Sequence, residues 1–428
     1  MQFYQNNGFQ VNEFNILLPL ILILPMALIT GPFLPDLIVS IAAIYFIILC
    51  IRKKLFRIFK LRVVFFFMLF YAYILIRSIF SDNPFLSLES SLFYFRFGFY
   101  TLTVIYFILL NEKFIIYYKY ALLISTLFII VDGYFQFITG FNIIGFGAQY
   151  YSTNTLRLSG MFGEEMILGK YLLHTVPLYV ALTFYSSQEN RYLIIFNIIL
   201  IGIALILILI TGERTSFVLF LMVTILLFLL TDLRKYILPS VIVISIISSL
   251  LIFSNPRIQE RSFNSTINEL LDENGQIQFI TKSHQEHAQT ALKMFFKNPF
   301  VGHGSKMFRD KCKNPEYNSG SNSCSTHPHN YYLQLLAETG LIGIVPIISI
   351  LLITFKNLIV AIINNFFSKS NMRKDDYLIS LNIIVFVSIF PLAPSMSFFN
   401  NWSSIVMYLP IPFLLYPYLK DSLRSKII

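Results

Sequence analysis

Apolar residues in this chain gather into runs of about 20, and polar residues are confined to the breaks between them. Twelve runs stand near 14–30, 32–51, 62–80, 91–110, 114–138, 166–185, 192–211, 214–231, 236–254, 340–362, 376–394 and 402–419. At 1.5 Å per helical residue, about 20 residues cross the ~30 Å hydrocarbon layer of a bilayer. Each run is therefore a candidate transmembrane helix, and the expected fold is an all-α integral membrane protein of about 12 transmembrane helices. The start of the chain has no basic cluster and no small-residue cleavage site, so the first run reads as a retained span rather than a signal peptide.

The positive charges give these runs a direction. Between the second and third stand Arg52, Lys53, Lys54, Arg57, Lys60 and Arg62, a cluster that stays on the cytoplasmic side. Alternating from there, the inside loops hold Lys113 and Lys119, Arg191, Arg234 and Lys235, Lys356, Lys369, Arg373 and Lys374, then Lys420, Arg424 and Lys426. The outside turns at 31–36, 81–90 and 395–401 hold no Lys or Arg. Both termini are thus expected in the cytoplasm. Two outside segments exceed a turn: 139–165, and 255–339, the one sizeable hydrophilic stretch. The expected organisation is a bundle of about nine spans over 1–254, an extracytoplasmic loop over 255–339, and about three spans over 340–428. Within the loop, Ala288, Ala291, Leu292, Phe295 and Phe296 have helical spacing over 284–297, and NPFVGHG then breaks the helix.

Composition agrees. At 56% hydrophobic and 13% charged residues, 428 residues cannot cover their apolar surface with polar groups in water. The net charge of +10 lies largely in the short loops that set topology, so it does not point to nucleic acid. Cys50 sits at a membrane edge. Cys312 and Cys324 fall in the long loop on the oxidising side, either as two thiols or as a disulfide. The disulfide would be worth something like 3 kcal/mol in a chain-entropy model and would tether the chain just before His327.

The chemistry-bearing stretch is STHPHNYYLQLLAETGLIG, Ser325 to Gly343. Asn330 is a good N-cap for a helix over Tyr331–Thr339, and Gly340 a good stop, followed by Gly343 one helical step on. His329 then lies at the positive end of a helix, where a neutral imidazole is favoured, as a general base requires. The competing reading is a polar residue closing a helix at the interface. Glu338 is roughly 13 Å further along and anchors the helix elsewhere rather than orienting His329. Cys324, His327, His329 and His303 are conceivable metal ligands, but their spacing matches no recognised zinc pattern. Arg77, Arg96, Arg157 and Arg214 all fall on the outer side. Each is either a snorkelling anchor or part of a guanidinium cluster suited to a phosphate or diphosphate, and Glu164, Glu165 and Glu213 are available to pair with them.

These residues carry a family resemblance. His329-Asn330, then Gly340 and Gly343, resembles the pattern of the O-antigen ligase family, within the superfamily shared with O-antigen polymerases. ALKMFFKNPFVGHGSKMF, RLSGMFGEEMILGKYL and TGERTSF resemble it too, over roughly 155–345. The resemblance implies a membrane glycosyltransferase that takes its glycan from an undecaprenyl-diphosphate carrier and delivers it to a hydroxyl of lipid A-core or a similar glycan. It places the enzyme in the bacterial inner membrane with the large loop in the periplasm, and it implies no metal or other cofactor. By the same resemblance His329 deprotonates the acceptor and Arg214 holds the diphosphate; the shared outer side adds Arg157, Arg96 and Arg77, with His327 and Asn330, to the expected substrate-binding set. The family's usual loop arginine is missing from TKSHQEHAQ, leaving His284, His287, Arg257 or Arg261 to replace it. A polymerase that joins lipid-linked repeat units shares the donor and is the alternative. A polytopic transporter is the remote one, and the two halves show none of the matching Gly or Pro breaks it would need.

Overall fold

The computed structural model describes residues 8–151, 155–186, 190–260, 264–271, 280–366 and 375–427. The first half builds α1 (Gly8–Ala27), α2 (Phe33–Arg52), α3 (Arg62–Ile79), α4 (Pro84–Ser91), α5 (Phe95–Leu110) and α6 (Lys113–Thr139). After the hairpin β1 (Gln149–Tyr151) and β2 (Thr155–Arg157) come α7 (Leu168–Ser186), α8 (Arg191–Thr211), α9 (Arg214–Leu230) and α10 (Ile237–Ser254). The hydrophilic stretch holds α11 (Pro256–Gln259), α12 (Ser265–Leu270), α13 (Lys282–Lys297) and α14 (Met307–Lys311). The chain closes with α15 (Tyr331–Phe366), α16 (Asp376–Ser388), α17 (Asn401–Tyr408) and α18 (Ile411–Ile427). The strand pair, with Gln149 opposite Arg157, is a hairpin of three-residue strands in a chain that is otherwise helical, as expected.

All twelve apolar runs are helical, but among the described residues only seven helices are long and apolar enough to cross a membrane by themselves. An eighth exists if α17 and α18, bent by 47°, count as one span. The shortfall from twelve has physical causes. α9 and α16 have only 17 and 13 residues. α7 is buried on almost every side, so it needs no lipid-facing apolar surface and carries Lys170, His174, Thr175 and Thr183 instead. α10 is the converse case: none of its 18 residues is buried, and it is apolar all round. Lipid tails are as apolar as Leu, so close packing and internal hydrogen bonds hold such a bundle together.

Contacts sort the helix ends into two sets. At one end, Glu112 between α5 and α6 accepts from Tyr416 and Tyr185, Lys119 donates to Ser186, and the Asp232 N–H donates to Asp376. At the other end, Asp36 pairs with Arg96 at 2.7 Å, Trp402 donates to the Leu28 carbonyl, and Glu213 accepts from the start of α7. The hydrophilic stretch sits on this second end. It is joined there by Lys306–Glu89 and Lys311–Asp82 ion pairs and by Arg77.

α15 is two helices meeting at Gly340, whose φ of 64° and ψ of −166° are not helical. Such a break strands backbone groups on both sides. The NPFVGHG turn supplies their partners: the N–H groups of His303 and Gly304 donate to the carbonyls of Ala337 and Glu338 at 3.1 and 2.7 Å. On the far side, the N–H groups of Leu341 and Ile342 donate to Pro299 and Phe300 at 2.8 and 3.2 Å. From α3, Arg77 donates to Gly302 (3.0 and 2.8 Å), and the Tyr73 hydroxyl donates to Thr339 (2.5 Å). The two backbones approach so closely that a Cβ at Gly302 would enter Glu338 and Thr339, and one at Gly340 would enter Phe300 and Val301. Gly340→Ala adds a side chain at positive φ to that overlap, and its expected cost is about 2 kcal/mol or more. The check is a thermal melt in detergent. Gly340→Ala should melt well below wild type, while Gly147→Ala, with its nearest side-chain atom 3.6 Å away, should not. Equal melting of the two would contradict this reading of the break.

Candidate active site

Residues 325–330 form a loop pinned to the turn after α16. The Ser395 N–H donates to the His329 carbonyl at 2.8 Å, and the Ser395 carbonyl lies 3.2 Å from His327 Nε2. Asn330 Nδ2 donates to the Pro391 carbonyl, while its Oδ1 accepts from the Tyr332 and Leu333 N–H groups as the N-cap of α15. The Tyr332 hydroxyl donates to Ile389 at 2.6 Å. Held at both edges, His329 adopts φ 54°, a left-handed conformation that costs a non-glycine residue energy and persists only because its surroundings impose it.

Four imidazoles converge here. The His329 ring lies 4.2 Å from His327, 5.2 Å from His287 and 5.5 Å from His284, centroid to centroid. Ser325 Oγ is 3.1 Å from His329 Nε2, and Thr281 Oγ1 is 2.8 Å from His284 Nδ1. Burial, then the neighbouring histidines and Lys170, pushes His329 down to about 3. Burial and the charges of Lys170 and Arg309 push His327 down to about 4, although its bond to Ser395 works against this. Burial also lowers His287. At neutral pH His287, His327 and His329 are uncharged. No group of three or more potential metal ligands is assembled among the described residues.

The arginines divide. Arg77 is spent on the carbonyls of Phe80, Val301 and Gly302, and Arg96 on Asp36, with its guanidinium 5.1 Å from the Phe97 ring. Arg214 opens α9 and donates to Thr266 Oγ1 at 2.9 Å. Beside it, Glu213 accepts from the N–H groups of Gly169 (2.6 Å) and Lys170 (3.2 Å) and from Ser216 Oγ (2.9 Å), within the fields of Arg157 and Lys170. Glu213 thereby joins the start of α7 to the start of α9 and gathers Arg157, Lys170 and Arg214 around one carboxylate. Glu164 and Glu165 lie just before α7, both exposed. Between α7, α9, α16 and α17 lies a small, partly open cavity lined by Lys170, His174, Tyr331, Ser388, Ser395 and Trp402 among others.

The remaining residues serve as framework. Glu338 accepts from the Phe308 N–H and from Gln334 Nε2, both at 3.0 Å, and Gln334 in turn holds Ser397 and the Phe398 N–H. Gly343 lies against Thr339 and Tyr73, with no room for a side chain. His303 is buried against the Met294 carbonyl, away from the other four histidines. Cys312 and Cys324 are joined in a disulfide with Cα atoms 5.1 Å apart, so Cys324 is not a thiolate ligand. Of the residues considered for the missing loop arginine, His284 and His287 reach the cluster. Arg261 lies outside the described residues, as does the side chain of Arg257.

Residues 199–348 match a family model described as O-antigen ligase. The matched stretch is about a third of the chain. No curated protein matches the chain. The likeness is to the O-antigen ligase family over that stretch, and the helices are those of a multi-pass membrane protein. The O-antigen ligase match contains Arg214, the four clustered histidines, the disulfide and the Gly340 break, while Arg77, Arg96, Arg157 and Lys170 lie before it. Two cations of this site escaped sequence reasoning. Lys170 sits in an apolar run, where its charge was itself the signal. Arg309 on α14 reaches His327 and Glu338 electrostatically, and its Nε is buried with no partner among the described residues.

Because the fold lowers His287, His327 and His329, the unfolded chain binds protons that the folded chain refuses. Stability should therefore fall as pH drops from about 6.5, the ordinary histidine value, toward the lowered folded values. Melting curves from pH 7.5 to 4.5 check this. Wild type should lose more of its melting temperature on acidification than His329→Asn, and identical pH slopes would contradict the burial argument.

Proposed function

We propose that the protein is an O-antigen ligase-like enzyme of the bacterial inner membrane, with twelve spans, cytoplasmic termini and the 255–339 loop in the periplasm. It moves a glycan from an undecaprenyl-diphosphate carrier to a hydroxyl of lipid A-core or a similar acceptor. The observation that carries this reading is His329: a neutral imidazole, locked in position, beside a group of cations suited to a diphosphate. With Ser325 Oγ accepting from Nε2–H, the His329 lone pair lies on Nδ1, which has no hydrogen-bond partner among the described residues.

In the proposed step the acceptor oxygen attacks the anomeric carbon as its proton passes to His329. The bond from that carbon to the diphosphate oxygen breaks, and the oxygen leaves with the electron pair. Arg214 and Arg157 hold the charge that develops there. His327 and Asn330 shape the acceptor side of the loop. Arg77 and Arg96 act at one remove, bracing the Gly302 turn and the start of α5, since their guanidinium groups already have partners. The step uses no nucleotide, metal or other cofactor.

Purified His329→Ala in nanodiscs should fold and bind the lipid-linked donor yet transfer glycan at least about a hundredfold more slowly, the range expected for loss of a general base. Full turnover in that variant would end the assignment. A deletion strain separates the two family activities. Unmodified lipopolysaccharide core with full-length polymer retained on the carrier is the ligase result, and core bearing a single repeat unit would point to the polymerase.

A further inference from the structure

We infer that the turn at 299–302 is a membrane-docking surface: the side chains of Phe300 and Val301, with Phe296 and Phe80 beside them, lie among lipid acyl chains in the leaflet on the side of the hydrophilic stretch. That stretch therefore dips into the bilayer at one turn instead of standing clear of it in water. The inference rests on the spans and not on the glycosyl-transfer reading.

The level of the turn points to lipid first. It is bonded to two of the helices long and apolar enough to cross a membrane. Leu341 and Ile342, which begin the apolar half of α15, donate their N–H groups to the carbonyls of Pro299 and Phe300 at 2.8 and 3.2 Å. Arg77, in the last turn of α3, donates to the carbonyls of Val301 and Gly302. Ile79 on α3 and Ile342 on α15 are half exposed beside these anchors, on the flanks that a span turns to lipid.

The backbone fits the same depth. Irregular backbone is tolerated within a bilayer only where the protein satisfies its polar groups. All four carbonyls from Pro299 to Gly302 accept such a bond: from Leu341, from Ile342, from Arg77 and Tyr73, and from Arg77 again. A turn standing in water has no need of this, because solvent serves its carbonyls.

The side chains complete the picture. Phe300 is 67% exposed, Phe296 at the end of α13 is 72% exposed, and Phe80 just past α3 is 75% exposed. Phe80 belongs to the same junction, since its carbonyl accepts from Arg77 Nη1 at 2.6 Å. A single exposed apolar residue is ordinary, but three phenylalanines from three segments at one junction form a patch. The patch continues the lipid-facing flanks of α3 and α15, so acyl chains are the occupant it fits. The charges next to it in sequence are paired, Lys297 with Glu316 and Asp82 with Lys311, so immersion strands no lone charge there.

The test is nitroxide accessibility on the full chain in phosphatidylcholine–phosphatidylglycerol nanodiscs. A label at Phe300→Cys is read for collision with oxygen, which concentrates among acyl chains, and with a nickel chelate confined to water. Val345→Cys, on the exposed face of the apolar half of α15, is the lipid reference, and Ser283→Cys, exposed at the start of α13, is the water reference. Phe300→Cys should match Val345→Cys, with an oxygen-to-nickel ratio severalfold above that of Ser283→Cys. A ratio equal to that of Ser283→Cys would put the turn in water and overturn the proposal. Low accessibility to both reagents would mean that protein, such as a second copy of the chain, covers the turn, and would overturn it equally. Phe296→Cys carries the same comparison if Phe300→Cys does not fold. The buried Cys50 of the unaltered chain gives the background.

Discussion

The helix break at Gly340 is the constraint on which the site depends. A helix that stops within a bundle strands carbonyls on one side and N–H groups on the other, and no water is at hand to satisfy them. The turn at 299–304 supplies both sets from its own backbone, and Arg77 and Tyr73 fasten the junction to α3. Because these are backbone-to-backbone bonds, they require two glycines in left-handed conformation and fix the spacing between the two segments. The half-helix Tyr331–Thr339 is thereby free to leave the direction of the span below it. It carries Asn330 and His329 at its start, where the turn after α16 holds them a second time.

The site that results is electrostatically divided. On one wall are four crowded imidazoles, of which His287, His327 and His329 are held neutral by burial. On the other, Arg157, Lys170 and Arg214 surround a single carboxylate. A neutral base beside a group of cations suits a reaction that takes a proton from one oxygen and leaves negative charge on another. It also explains why α7 carries charged and polar residues through the middle of the bundle: the helix serves the site and not the lipid.

Much of this was legible in the sequence. Run length marked apolar stretches that are helical, though among the described residues seven of the helices are long and apolar enough to span alone, and the cap at Asn330 with the stop at Gly340 delimited the short helix. It could not show that Gly340 and Gly302 answer one another across some forty residues, because nothing local records which loop satisfies a broken helix. The arginines were harder. Their shared outer side followed from topology, but whether each faces substrate or framework depends on contacts such as Arg96 with Asp36, which lie far apart in sequence. Lys170 was hidden within an apolar run, and His284 and His287 gained meaning only when α13 brought them to His329. Hydropathy also blurred the count of spans. It reports how much lipid a helix sees, and α7 sees little.

The stereochemistry of transfer tests the central claim most directly. A single displacement assisted by one base inverts the anomeric carbon, whereas a covalent enzyme intermediate retains it. With the purified chain, a carrier-linked glycan of defined linkage and a soluble core acceptor, nuclear magnetic resonance of the product should show the new linkage inverted relative to the donor. Retention of configuration would contradict His329 as the base of a direct transfer.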